Sequence, residues 1–220
     1  MVWINADSGG DPHEWILADD LELMDSVQPD PSVHLVAQVS RCGRDPYDGG
    51  WKGTRRYLFG RPGADPVGLQ ALRLPDPAVD VDLSSGRSLV DFVRWASGRF
   101  PARHRMLVIQ AHGSGWQGLS PAHLESDPTD LITIADGELG RALEEASTVA
   151  PLDVLVLDAC LMGMWETGWA ARRGARYVVT SEEMGGPLLG SWHDLIPRLV
   201  AGEDIGTRFL PTTSKLESRK

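Results

Sequence analysis

Two short apolar runs, each ending in a reactive side chain, limit what this chain can fold into. Met106-Leu107-Val108-Ile109-Gln110 leads into Ala111-His112-Gly113, and Leu155-Val156-Leu157 leads into Asp158-Ala159-Cys160. A continuous run rich in Val, Ile and Leu predicts a strand covered on both faces, as in a parallel sheet. Two such strands deliver His112 and Cys160 to their carboxyl ends. In open α/β sheets that rim is where ligands and chemistry collect. A His at one strand end and a Cys at another is the minimum kit for a cysteine nucleophile with its own base.

Composition sets the outer limits. The chain has 220 residues, enough for one good core and short for two full domains. Its 42% hydrophobic and 24% charged content suits a soluble globular protein. A net charge of −10 argues against a nucleic-acid partner, which would call for a basic face. No run approaches bilayer-spanning length, so no membrane partner is expected. Met1 to Asp7 lacks the positive start and long apolar core of a secretory signal. The expected location is the cytoplasm, unless the sequence is a piece whose targeting segment is absent. Cys42 and Cys160 are too few for a disulfide framework or a thiolate-rich zinc site. A bridge between them would consume the candidate nucleophile, and structural disulfides are rare inside cells.

The order of elements predicts an α/β domain over residues 1–206, followed by a flexible tail over 207–220. Val2 to Ala6 reads as a first strand. Glu14 to Val27 carries a rough helical stripe of Trp15, Leu17, Leu21 and Met24. Val33 to Val39 reads as an alternating strand. Residues 41 to 87 are rich in Gly, Pro and Asp, with one β-prone segment at Tyr57-Leu58-Phe59. That pattern predicts a hairpin plus loops on the sheet edge. Leu89, Val90, Phe92, Val93 and Ala96 form a helical face, with Ser88 near its start. After the His112 strand come a polar loop through Pro128 and a helix from about Asp136 to Ala146. Beyond the Cys160 strand, a helix is expected from about Met162 to Arg173. A strand from Ala175 to Ser181 and a last helix from Leu188 to Val200 complete the reading.

His112-Gly113-Ser114-Gly115-Trp116 and Asp158-Ala159-Cys160-Leu161-Met162-Gly163 together resemble the clostripain-like cysteine peptidases, relatives of the caspases, legumains and gingipains. Glu166, Val179-Thr180-Ser181-Glu182-Glu183 and the segment Trp51 to Tyr57 also fit that family's pattern. The likeness is dense from about Leu107 to Glu183 and diffuse before it. It implies a caspase-like three-layer sandwich, with a mostly parallel central sheet flanked by helices. The activity it implies is hydrolysis of peptide bonds after Arg or Lys, with no metal or other cofactor needed. Some relatives bind calcium, but no EF-hand-like loop is present here.

Amide hydrolysis assigns the roles. Cys160 attacks as a thiolate, aided by its expected place just before a helix N-terminus. His112 takes the proton and passes it to the leaving amine. The backbone N–H groups of Gly113 and Cys160 are candidate oxyanion donors, and a side chain at residue 113 would obstruct the substrate carbonyl. The resemblance places Asp158 beneath the basic side chain of the substrate, in the S1 pocket. The other reading of Asp158 is a cap on the following helix. Glu182 and Glu183 either shape the same pocket or stay solvated. Trp51, Trp116 and Trp192 either line the cleft or pack, while Arg55 and Arg56 read as a solvated hairpin face and Glu166 as structural. The other histidines lack metal-ligand spacing.

Many family members mature by self-cleavage between the His and Cys strands. Here the only Lys or Arg in that interval is Arg141, on an expected helix, so such a cut is not anticipated. The competing function is a caspase-like scaffold or effector domain that is catalytically silent. A regulated protease awaiting an activating protein partner is a third possibility.

Overall fold

A computed structural model describes residues 1–6, 13–26, 31–41, 51–60, 71–75, 77, 81–121, 130–185, 195 and 198. The expected last helix over Leu188–Val200, the tail, Cys42 and Trp192 lie wholly or almost wholly outside them. The strands are β1 (Val2–Ala6), β2 (Leu35–Arg41), β3 (Gly53–Phe59), β4 (Leu72–Leu74), β5 (Met106–Gln110), β6 (Gly118–Leu119), β7 (Ile132–Thr133), β8 (Leu152–Asp158) and β9 (Ala175–Val179). The helices are α1 (His13–Ser26), α2 (Gly86–Arg99), α3 (Glu138–Val149) and α4 (Trp165–Ala171). Seven strands form one sheet in the order β4-β3-β2-β1-β5-β8-β9. β2, β1, β5, β8 and β9 run parallel, while β3 and β4 add an antiparallel hairpin at one edge.

This order positions the chemistry. From β1 the chain first builds outward through β2, β3 and β4, then returns to the other side of β1 through β5, β8 and β9. The reversal falls between β1 and β5, so the loops beyond their carboxyl ends leave in opposite directions. A crevice opens at such a switch point, and ligands of open α/β sheets bind there.

The apolar runs behave as strands because both of their faces are covered. On one face Val2, Ile4, Val108, Val154 and Val156 pack with Leu21 and Met24 of α1. On the other, Trp3, Leu107, Ile109, Leu155 and Leu157 pack with Leu89, Phe92 and Val93 of α2 and Leu139 and Leu143 of α3. The result is the three-layer sandwich that the family resemblance implied. β2 departs from the alternating, half-buried strand expected from sequence, since every residue from Leu35 to Arg41 is buried. Its place between β1 and β3, covered on both faces, overrides the alternation.

Helix α2 begins at Gly86, so Ser88 lies near its start as expected. Ser85 is the N-cap, with its Oγ accepting from Arg87 N–H at 3.2 Å. Glu138 of α3 accepts from Gly86 N–H at 2.8 Å and ties the two helix starts together. Thr133 and the Glu138 N–H hold the Asp136 carboxyl below the usual carboxylate range. Arg55 and Arg56 are half-buried rather than solvated: Arg55 stacks 4.3 Å over Trp51, and Arg56 lies 4.0 Å over Trp95. Trp51 itself is buried in the core. No helix among the described residues is long and apolar enough to cross a membrane.

Two substitutions test this packing. Trp3 is fully buried with its ring 5.7 Å from that of Phe92. Trp3→Ala is expected to lower unfolding free energy in a denaturant titration by about 3–5 kcal/mol. A loss near 1 kcal/mol would contradict the core described. Gly98 sits exposed in α2 with nothing within 4 Å of an added Cβ. Gly98→Ala should raise stability by up to about 1 kcal/mol through helix propensity alone.

Candidate active site

β5 and β8 are neighbours in register, Gln110 beside Asp158, so the loops that follow leave the sheet at the same height. The first loop carries His112, half-buried, and Gly113. The second carries Cys160, a half-buried free thiol. A Cβ built on Gly113 would stand 2.2 Å from the Cys160 carbonyl oxygen and 2.9 Å from its backbone nitrogen. Real carbon–oxygen contacts do not come so close. Glycine is required there because the His112 loop lies directly on the Cys160 backbone.

The first loop is anchored by its own small structure, which the sequence reading treated as a plain polar loop. A 3-10 turn over Gly115–Gln117 leads into β6, which pairs with β7. Ser120 N–H donates to His112 O at 2.9 Å, and Ser114 N–H donates to Gly118 O at 2.9 Å. Ser120 Oγ donates to Leu83 O at 2.6 Å and accepts from Asn5 Nδ2 at 2.9 Å. Asn5 thus ties the end of β1 to the His112 loop. Neither Asn5 nor Ser120 was singled out from sequence, although a polar residue ending an apolar strand was an available signal.

The Cys160 loop is held from the other side by the segment after β9. Leu161 N–H donates to Glu183 O at 3.1 Å, and Gly163 N–H donates to Ser181 O at 2.7 Å. Gly185 N–H donates to Cys160 Sγ at 3.2 Å. Glu182 and Glu183 therefore border the cysteine loop through their backbone, while their side chains are exposed. Leu161 adopts φ +61°, a left-handed conformation that costs about 1–3 kcal/mol for such a residue and persists only when its surroundings fix it.

Several expectations need correction. α4 starts at Trp165 with Met164 as N-cap, so Cys160 does not directly precede a helix. For the same reason Asp158 is not a helix cap. It ends β8, 5% exposed. Strand geometry ends at Asp158, since the chain bends at Ala159 and turns at Cys160. Trp116 is 54% exposed beside the His112 loop, and Glu166 is exposed on the first turn of α4. Arg141 lies within α3, its Nη1 donating to Asp136 O at 2.8 Å. A cavity of about 500 Å³, lined by Val2, His34, Phe100 and Met106 among others, opens at the amino-terminal rim of the sheet, away from both loops.

The sequence pattern of the clostripain family matches residues 67–188. No curated protein matches the chain. Among solved structures, it is similar to a secreted cysteine protease of Bacteroides thetaiotaomicron named iotapain, at 12% identity and a TM-score of 0.61, covering 86% of this chain and 54% of that one. A complex of a secreted cysteine protease from the same organism with an irreversible peptide inhibitor gives 19% identity, a TM-score of 0.60, and coverage of 92% and 54%. An inactive zymogen protease of Parabacteroides distasonis gives 16%, 0.55, and coverage of 83% and 47%. At these identities the likeness is one of fold. The chain spans about half the length of the structures it matches.

The contact between the two loops gives a direct test. Gly113→Ala forces the loops apart, so thermal stability should fall and labelling of Cys160 by a thiol reagent should change. A Gly113→Ala protein with unaltered melting and unaltered labelling would contradict the contact.

Proposed function

This chain belongs to the clostripain family, and on that premise we propose that it is a cysteine endopeptidase cleaving after Arg, with Lys as the lesser substrate. The observation that carries the reading is the seating of Gly113 on the Cys160 backbone, which brings the His112 segment against the candidate nucleophile.

The chemistry runs as follows. Cys160 Sγ, as thiolate, attacks the scissile carbonyl carbon and forms the S–C bond, while His112 carries the displaced proton. The tetrahedral oxyanion is met by the N–H groups of Gly113 and Cys160. Among the described residues neither donates to a backbone carbonyl, which suits preorganised donors. His112 then protonates the amine as the C–N bond breaks, leaving a thioester. Water, deprotonated by His112, attacks the thioester and releases Cys160. The Gly185 N–H is directed at Cys160 Sγ from the segment after β9.

Asp158, at the end of β8, supplies the negative charge for a basic P1 side chain, and Glu182 and Glu183 border the same rim. A guanidinium matches a carboxylate in charge and in planar, two-point geometry. The retention of Cys160, His112 and a glycine at residue 113 disfavours the silent-scaffold alternative.

Hydrolysis of fluorogenic peptides that differ only at P1 tests the reading. Cys160→Ala should abolish turnover while Cys42→Ala preserves it. His112→Ala should lower turnover by roughly two to four orders of magnitude. Asp158→Asn should depress cleavage after Arg by about 30- to 1000-fold with the fold intact. Equal loss in the two cysteine variants would remove Cys160 from its role. Preference of the unaltered protein for an acidic or apolar P1 would remove the substrate assignment.

A further inference from the structure

On the face covered by α1, β5 and β8 end in polar side chains, whereas the positions before them on that face are aliphatic. Val108, Val154 and Val156 lie on that face with Leu21 and Met24 of α1. Alternation along β5 and β8 continues it to Gln110 and Asp158, which stand side by side in the register. Asp20 of α1 joins them, accepting a hydrogen bond from Gln110 Nε2. All three are buried, with Asp20 2%, Asp158 5% and Gln110 8% exposed.

The Gln110 amide has a fixed direction. Its Nε2 is the group that donates to Asp20, so Oε1 faces elsewhere. That oxygen is buried and accepts no hydrogen bond. Buried acceptors in folded proteins nearly always have a donor, so this one calls for a partner that the described residues do not supply. The missing partner is a donor next to a carboxylate. A guanidinium fits this, having five N–H groups, no acceptor, and a planar fork that can meet two acceptors at once.

We propose that Gln110 is a specificity-determining residue of the P1 pocket. Its Oε1 accepts from the substrate guanidinium beside Asp158, and Asp20 acts as a positioning residue that holds the amide in the accepting orientation. This rests on the reading that Asp158 underlies a basic P1 side chain. It also gives a physical basis for the proposed preference for Arg over Lys. The compact ammonium of Lys does not present the planar fork that engages the amide oxygen and the carboxylate together.

Peptide binding to the full chain carrying Cys160→Ala tests the proposal without hydrolysis. Calorimetric affinities are compared for a tetrapeptide ending in Arg and the same peptide ending in norleucine. Gln110→Met keeps the length of the side chain and removes the acceptor. It should weaken the Arg peptide by roughly 10- to 100-fold and leave the norleucine peptide within about threefold. Asp20→Asn is the second variant. Its amide can donate to Gln110 Oε1 and turn the group over, so the preference for Arg should fall in the same direction. Equal weakening of both peptides, unchanged affinity for the Arg peptide, or no Arg preference in the parent would each overturn the proposal. Hydrolysis by the unaltered chain reports separately. Cleavage after Arg that keeps its full preference in Gln110→Met sinks only the role of Gln110. Arg binding through Gln110 without any hydrolysis sinks only the peptidase reading.

Discussion

The candidate site depends on one backbone contact, that of Gly113 with the carbonyl of Cys160. β5 and β8 run parallel as neighbours, so the segments beyond Gln110 and Asp158 emerge together. They can lie on one another only because residue 113 lacks a Cβ, which would come within 2.2 Å of the Cys160 oxygen. Every proposed step of catalysis takes place across that contact. The base lies in one loop, the nucleophile in the other, and one oxyanion donor comes from each.

Rigid strands and anchored loops keep this contact in register. The central strands are buried on both faces, and their aliphatic rows fix the height of each strand end. Beyond those ends the chain uses polar side chains and backbone bonds in place of apolar packing. Asn5 and Ser120 secure the His112 loop, while the carbonyls of Ser181 and Glu183 secure the Cys160 loop. Ser120 and Leu161 both hold positive φ, at 60° and 61°, one in each loop. Two non-glycine residues in that region, flanking the same site, indicate that the loops are determined by their anchors rather than by local preference.

The sheet was legible in the sequence because its strands are continuous apolar runs ending in Asn5, Gln110 and Asp158. The helices on either side follow the ordinary helical period, and the edge hairpin announced itself at Tyr57-Leu58-Phe59. Burial of β2 on both faces was not legible, because Gln38 and Ser40 imitate an exposed face while lying between two strands. His112 and Cys160 could be found from their motifs, as could Gly113, although the reason for that glycine is a backbone contact that no local pattern encodes. The start of α4 was placed too early, because its apolar spacing begins at Met162 while the hydrogen-bonded turns begin at Trp165. Gly185 reaches Cys160 from beyond β9, and Asp20 reaches Gln110 from α1. Such contacts arise from strand order and cannot be read from spacing along the chain.

The central claim is that Cys160 is a nucleophile poised for a peptide with a basic P1 residue. Its most direct test is mass-spectrometric mapping of the adduct formed with an irreversible arginyl ketone peptide. The account predicts a single adduct on the peptide containing Cys160, lost in His112→Ala and not formed by the matching norleucine compound. An adduct on Cys42, or equal labelling by the norleucine compound, would contradict it.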